Sequence, residues 1–224
     1  MPESTIDYHD DEPLFRDAIR FTAAQTGFSE RLIEKDYYCT LALADLALAK
    51  TGLVFKGGTC LSKIHADFCR LSEDLDFGVS TDVDASRGER AKRIGVFKLH
   101  LPGIQERLRV LRIVAPLRGF NNSTQYASRL AYRSVITGQD EYIKIEVSVR
   151  EPVVEPSVSM PARTLLVDPF RREPAVGAVN TTVLTRREAF SEKVRAALSR
   201  REAAIRDFFD LHHAIAFGII DTTD

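Results

Sequence analysis

The stretch "FKGGTCLSKIHADFCRLSEDLDFGV", residues 55–79, decides the fold class of this chain. A short apolar run ends in Gly57 and Gly58, and helical spacing follows. In "DLDFGV" the apolar residues alternate with Asp74 and Asp76, as in a strand with one buried face. The sequence therefore predicts a strand, a glycine turn and a helix, followed by a half-buried strand that carries two carboxylates on its polar face.

These two carboxylates predict a metal site beside a phosphate site. Asp74 and Asp76 would lie ~6.6 Å apart along one strand face, at ~3.3 Å per residue. Two such acids repel, and a divalent cation relieves the repulsion. Mg²⁺, or Mn²⁺, suits oxygen ligands and shares its coordination shell with substrate phosphates. The bare backbone of Gly57 and Gly58, with a helix that begins near Thr59, would hold those phosphates.

A third carboxylate stands in another alternating segment, "YIKIEVSVR", residues 142–150. Its apolar residues oppose Lys144 and Glu146, so Glu146 projects from the polar face of a strand. Three carboxylates on neighbouring strands would complete a two-metal site for nucleotidyl transfer from a nucleoside triphosphate (NTP). A double glycine or an acidic pair is weak evidence alone, but their order along the chain is much stronger.

The remaining pattern predicts an α/β protein of two lobes, residues 1–151 and 152–224. Apolar periodicity and turn residues predict helices at 13–26, 29–50, 86–108 and 185–217, and strands at 53–55, 109–117, 126–137 and 140–149. A proline-rich passage after residue 151 predicts an irregular connector between the lobes.

Composition excludes several classes of protein. Hydrophobic residues make up 44% of 224, and no run of 18 apolar residues exists, so we expect a soluble protein with an ordinary core. The N-terminal segment is acidic, unlike a signal peptide, and the three cysteines have no metal-ligand spacing. These features predict a cytoplasmic protein. The net charge is −1, but basic residues are concentrated in residues 87–118 and 163–206. These two segments form either solvated surfaces or a face that binds a polyanion.

The motifs resemble a known family. "GGTCLSK", "RLSEDLDF", "IKIEVS" and "EKVRAALSRREAAIRDFFDL", with "EKDYYCTLAL" at residues 34–43, are similar to nucleotidyltransferase toxins of the AbiEii/AbiGii type. The resemblance implies a DNA polymerase beta-like nucleotidyltransferase fold with a mixed sheet, N-terminal helices and a helical C-terminal lobe. It also implies Mg²⁺-dependent transfer of a nucleoside monophosphate, in some members to the 3′ end of tRNA, within a toxin–antitoxin or abortive-infection system that includes a cognate antitoxin.

The resemblance assigns roles to individual residues. The metal ligands would be Asp74, Asp76 and Glu146, and the nucleotide-binding residues would be Gly57, Gly58, Thr59, Ser72 and Lys193. Lys63 is added from its position one turn beyond the glycine turn, as either a phosphate contact or a solvated lysine. Asp207 and Asp210 both qualify as the acidic partner of Lys193. In one straight helix Lys193 and Asp207 would be ~21 Å apart, at 1.5 Å per residue, so we predict a helix break near residues 199–202.

The sequence leaves the acceptor open. Basic residues that would contact RNA lie in two groups: Arg87, Arg90, Lys92, Arg93 and Lys98, or Arg186, Arg187, Arg195 and Arg200. A small molecule such as an aminoglycoside would favour an acidic cleft instead. A protein is a third candidate for the acceptor, and a catalytically silent binding module of the same fold is the rival to an enzyme.

Overall fold

Two helices open the described part of the computed structural model, which covers residues 7–49, 51–200, 202 and 204–220. Helix α1 (Glu12–Thr26) starts where the Asp11 side chain accepts a hydrogen bond from the Leu14 amide, and it ends at Gly27 in a left-handed conformation. Helix α2 (Glu30–Leu48) is buried along most of its length. Both predicted helices are confirmed. None of the described helices is long and apolar enough to cross a membrane.

A seven-stranded mixed sheet forms the centre of the molecule, in the order β3-β4-β5-β2-β1-β7-β6. Two neighbouring pairs, β2–β5 and β1–β7, are parallel, and the others are antiparallel. The mixed sheet is thus confirmed. The strands are β1 (Val54–Lys56), β2 (Leu75–Gly78), β3 (Arg112–Phe120), β4 (Gln125–Arg133), β5 (Asp140–Ser148), β6 (Val158–Ala162) and β7 (Val179–Val183).

The proline-rich passage is not the irregular connector that its composition predicted. It contains β6 and leads into β7, which pairs in parallel with β1. Pro161 is tolerated because β6 is an edge strand, where one side of the backbone needs no ladder hydrogen bonds. The sheet therefore extends across residue 152, where the sequence placed the lobe boundary.

The predicted helix at 86–108 is wrong as a single element. It divides into α4 (Arg87–Arg93), α5 (Gly95–His100), a 3₁₀ turn and α6 (Ile104–Arg107). Pro102 lacks the amide hydrogen that a continuous helix needs, so the chain turns there. Lys98 lies over the ring of Tyr126, 4.7 Å from its centroid, and Tyr126 belongs to the main core. This basic segment therefore covers the core side of the sheet.

The other side of the sheet carries the C-terminal helices, α7 (Arg186–Ser199) and α8 (Ile205–Ala216). A small apolar cluster that includes Val54, Phe190 and Ala214 attaches them to β1. Arg200 has an extended backbone, so the predicted break near residues 199–202 is confirmed. Residues 201 and 203 lie outside the described part, as do the first six residues of the acidic N-terminal segment.

Lys63 is neither the phosphate contact nor the solvated lysine that its place after the glycine turn predicted. Helix α3 (Gly57–Cys60) continues as a π-helical turn (Leu61–His65), in which Lys63 is fully buried. Its Nζ lies 2.6 Å from Asp36 Oδ1 and 2.7 Å from Thr40 Oγ1, and also donates to the Arg163 carbonyl. Because α2 and the loop after β6 enclose its ammonium group, we correct its role from phosphate contact to structural ion pair.

We expect the Lys63→Met variant to be destabilised without losing affinity for nucleotide. The change leaves Asp36 buried without its charge partner, which costs about 3–5 kcal/mol in comparable buried pairs. Urea unfolding measures the loss, and Lys92→Met, at an exposed lysine, is the matched control. The double variant Lys63→Met/Asp36→Asn should recover part of the stability. An unchanged free energy of unfolding in Lys63→Met would contradict the assignment.

Candidate active site

Strand register brings the predicted carboxylates together. Asp76 on β2 pairs with Lys56 on β1 and with Glu146 on β5, so the three side chains form one row across neighbouring strands. Such neighbours are ~4.8 Å apart. Asp74 stands one residue before β2 and projects to the same side. All three carboxylates line one cavity of about 230 Å³.

The cavity lies between the sheet and the C-terminal helices. The glycine turn and the carboxylate strands form its floor, and α7 and α8 form its roof. Its other lining residues are Gly57, Gly58, Arg70, Ser72, Ala189, Glu192, Lys193, Ala196, Arg200, Arg206 and Asp207. Of the site residues that the sequence predicted, Thr59, Lys63 and Asp210 are not in its lining.

The glycine turn is required by the closeness of the backbone to two side chains. Gly57 has a φ of +76°, and a Cβ at this position would strike the Asp76 carboxylate and lie 2.8 Å from Asp76 Cβ. A Cβ on Gly58 would lie 2.8 Å from the hydroxyl oxygen of Ser72. A side chain at Gly57 would therefore displace the Asp76 carboxylate, and one at Gly58 would displace Ser72 from the floor of the cavity.

Thr59 acts behind this floor. Its buried hydroxyl donates a hydrogen bond to the Asp74 carbonyl, at 2.5 Å. This contact fixes the start of β2 against α3 and so sets the position of the Asp74 side chain. The side chain of Thr59 holds a ligand residue in place instead of facing the cavity, while Ser72 does face it.

Burial, together with the neighbouring carboxylates, changes the ionisation of one member of this row, Asp76. Burial first, and then the charges of Glu146 and Asp74, raise the pKa of Asp76 to about 6. The nearest cations are already engaged, because Lys56 pairs with Glu192 at 2.5 Å and Lys144 pairs with Glu146 at 2.9 Å. A divalent cation is the kind of ligand that this arrangement would stabilise.

The residues present fit a metal ion after side-chain rotation. Among the described residues, only Asp7, His9 and Asp10, on the N-terminal turn, bring three ligand atoms within 4.8 Å of one another. The cavity carboxylates are more widely spaced. The Glu146 side chain is 40% exposed, so it can rotate toward Asp76 once it releases Lys144. Exposed acids at the N-terminal turn need no ion.

Lys193 forms ion pairs with both Asp207 and Asp210, the two candidates for its acidic partner. Its Nζ lies 3.0 Å from Asp207 Oδ1 and 3.0 Å from Asp210 Oδ2, and both carboxylates are buried. The break between α7 and α8 makes this contact possible, because it folds α8 back onto Lys193. One lysine on the roof of the cavity is thus held by two acids from the following helix.

Arg70 was missed by the sequence reasoning, and Arg200, which the sequence assigned to an RNA-binding face, lines the cavity instead. Arg70 binds Asp210 through two hydrogen bonds, of 2.5 and 2.7 Å. Burial acts to raise the pKa of Asp210, but Arg70 and Lys193 outweigh it and hold that pKa below its ordinary value. Arg200 Nη1 lies 3.0 Å from Asp207 Oδ2, although that oxygen has no hydrogen bond of good geometry among the described residues. The available signal was the place of Arg70 in "RLSEDLDF", two residues before Ser72.

The raised pKa of Asp76 predicts a pH-dependent effect of Asp76→Asn. The pKa of about 6 exceeds the ordinary aspartate value of ~3.9, so the metal-free protein gains stability from Asp76 at low pH and loses it as pH rises through about 6. In EDTA we expect Asp76→Asn to raise the melting temperature at pH 8 by about 5 °C. The gain should shrink at pH 5.

Adding Mg²⁺ should raise the melting temperature of the wild type more at pH 8 than at pH 5, and should leave Asp76→Asn almost unchanged. Differential scanning fluorimetry measures both effects. Asp84→Asn, at an exposed aspartate outside the cavity, is the matched control and should alter neither. A stability gain in Asp76→Asn that is equal at both pH values would show that repulsion is not its cause.

Comparisons with known proteins agree with this geometry. A candidate nucleotidyltransferase from H. pylori has 18% identity and a TM-score of 0.51, over 84% of this chain and 69% of that chain. The crystal structure of JHP933 from Helicobacter pylori gives the same identity, TM-score and coverage of this chain, and 67% of its own chain is covered. At this identity the likeness shows the fold alone. No curated protein matches by sequence.

The family model adds the decisive comparison. It is that of the AbiEii nucleotidyl transferase toxin of type IV toxin–antitoxin systems, and it matches residues 41–224. That range includes the glycine turn, the three carboxylates and the Lys193 cluster. This chain belongs to the AbiEii family of nucleotidyltransferase toxins.

Proposed function

We propose that this protein is an Mg²⁺-dependent toxin that transfers a nucleoside monophosphate from an NTP to the 3′ end of tRNA. The observation that carries the proposal is the opposition of charges across one cavity, with Asp74, Asp76 and Glu146 on its floor and basic side chains on its roof. Mn²⁺ would serve in place of Mg²⁺. We place the reaction in the cytoplasm, where NTPs and tRNA occur together, and family membership implies a cognate antitoxin.

The triphosphate would bind between the glycine turn and the roof. Four basic side chains surround this space, and two buried aspartates pair with them, so positive charge remains in excess. The four are Arg70, Lys193, Arg200 and Arg206. Asp207 and Asp210 hold the side chains of Lys193, Arg70 and Arg200 in fixed positions, which lowers the entropy that phosphate binding must overcome. The Gly57 and Gly58 backbone is bare enough to approach the phosphates.

The metal site would be formed by Asp74, Asp76 and Glu146. When bound, Mg²⁺ activates the attacking hydroxyl and stabilises the leaving pyrophosphate. Glu146 is the carboxylate nearest to β4, on the side of the cavity away from β1, the strand to which α7 is attached. We therefore propose that Glu146 orients the acceptor hydroxyl. Asp74 and Asp76 would hold the metal ion that binds the triphosphate.

A catalytically silent module would not need these features. The raised pKa of Asp76 means that its ionised form is unfavourable in the metal-free fold. A binding module could replace Asp76 by a neutral residue and gain stability, and it would have no need for a bare glycine beneath the carboxylate. The cost of this arrangement is offset when a cation and a triphosphate bind, which supports an enzyme.

The Asp74→Asn variant should lose nucleotidyl transfer while keeping its fold. We expect a loss of at least about 100-fold, since metal-supplied charge stabilisation is worth several kcal/mol. Purified protein is incubated with Mg²⁺, total cellular RNA and each α-³²P-labelled NTP in turn, and products are separated on a denaturing gel. Asp84→Asn is the control and should label a tRNA-sized band as the wild type does, with the active NTP identifying the donor.

Growth inhibition on expression should be lost with the same variant. Toxicity or labelling that survives in Asp74→Asn, with expression equal to wild type, would exclude the enzymatic function. Label in protein bands but not in RNA would replace the tRNA acceptor by a protein one and leave the donor site intact.

A further inference from the structure

Three of the seven strands are left uncovered by the described helices on the side of the sheet that carries the cavity. The core side of β4 and β5 is buried through residues such as Tyr126, Leu130 and Ile145. The alternate side chains point to the other side, where α7 and α8 cover β1 and β2 but leave β3, β4 and β5 accessible. We call this surface the open face, and its basic and aromatic members are Arg112, Arg118, Phe120, Arg129, Arg133, Tyr142 and Lys144.

The open face is continuous with the carboxylate row. Asp76 pairs with Glu146, Glu146 pairs with Ala127 on β4, and Ala127 pairs with Arg118 on β3. Three steps between strands, at ~4.8 Å each, place the Arg118 backbone ~14 Å from that of Asp76 on the same side of the sheet. A ligand lying across these strands would therefore end at Glu146.

The open face carries an excess of positive charge. Arg112 and Arg133 share one carboxylate, Asp140, and Lys144 pairs with Glu146. Arg118 and Arg129 are exposed, and neither has a carboxylate oxygen within 4.0 Å in the described parts of the chain. Five basic side chains thus face two acidic ones, and the two unneutralised arginines lie on β4 and β3, one and two strands from Glu146. Such a surface attracts a phosphate backbone.

Aromatic rings lie among these cations. Tyr142 is 45% exposed, and the guanidinium of Arg129 lies 5.8 Å from its ring centroid. Phe120, at the end of β3, is 41% exposed and pairs with Gln125 on β4, on the open face. Exposed rings on an antiparallel sheet, interleaved with arginines, provide stacking surfaces for unpaired bases.

We propose that the open face binds the single-stranded end of the RNA acceptor and directs its terminal hydroxyl to Glu146. The proposal rests on the proposed nucleotidyl transfer for its choice of acceptor, but its evidence is the open face itself. The basic helix α4 is a poorer surface, because α4 to α6 lie on the core side of the sheet, away from the carboxylates. On α7, Arg187 and Arg195 are already paired with Glu155 and Glu151.

The test compares charge reversal on the two sides of the sheet. Variants are Arg118→Glu/Arg129→Glu and Tyr142→Ala, with Arg87→Glu/Lys92→Glu on α4 as the matched control. The probe is unfractionated tRNA labelled with fluorescein at its 5′ end, and its Kd is measured by anisotropy between 50 and 200 mM salt. NTP binding in Mg²⁺ is measured separately, and circular dichroism verifies each fold.

We expect the arginine variant to raise the Kd for tRNA about 10-fold or more at low salt and to reduce the salt slope by about 2, one for each phosphate that an arginine no longer neutralises. Tyr142→Ala should raise the Kd about 5-fold or more. NTP binding should stay at the wild-type level in both variants. The α4 variant should bind tRNA like the wild type.

Two outcomes would overturn the inference: wild-type tRNA affinity in the open-face variants, or no binding of tRNA by the wild-type protein. If these variants form a weaker oligomer and bind RNA as the wild type does, the open face binds a second copy of this chain, and the inference is overturned. Impaired tRNA binding in a protein that labels no RNA would support the open face while refuting the proposed transfer, so the two failures are distinguishable.

Discussion

Mutual repulsion among Asp74, Asp76 and Glu146 is the constraint around which the rest of this structure is arranged. Strand register places two of these acids side by side, and no rotation of the chain can separate them without breaking the β2–β5 pairing. Lys56 and Lys144 flank the row but are bound to Glu192 and Glu146. Lys144 neutralises part of this charge at Glu146, and the rest stays concentrated at Asp74 and Asp76, where the proposed Mg²⁺ would compensate it.

The donor side of the cavity was largely predictable, because its features are local in sequence. Alternation in "DLDFGV" predicted the face of Asp76, and the double glycine marked the turn at which the backbone closely approaches Asp76 and Ser72. The resemblance assigned Lys193 and Asp207 to one site, and distance then predicted the break between α7 and α8, since the two cannot share one site on a straight helix. The choice between Asp207 and Asp210 had no local signal, and the fold uses both.

What the sequence did not reveal depends on contacts between distant segments. Lys63 stands one turn after the glycines, but the π-helical turn that contains it directs the side chain to Asp36, and no spacing rule predicts such a turn. Strand β6 was hidden by its proline, Pro161, because edge position, which makes proline tolerable, is a property of the whole sheet, and β7 was missed as part of the same passage. Arg70 gains its place from Asp210, which lies 140 residues further along the chain.

The order of the strands leaves two routes to the three carboxylates, one on each side of Glu146. Basic side chains of α7 and α8, together with Arg70, lie over β1 and β2, while β3, β4 and β5 extend to the other side of Glu146. In phosphoryl transfer the attacking and leaving oxygens lie roughly in line, on opposite sides of the phosphorus. A triphosphate held under α7 and α8 therefore requires that the acceptor hydroxyl arrive from the side of Glu146. The uncovered strands, with their arginines and exposed tyrosine, occupy that side, so in the proposed reaction the sheet that carries the three carboxylates would also orient the two substrates relative to them.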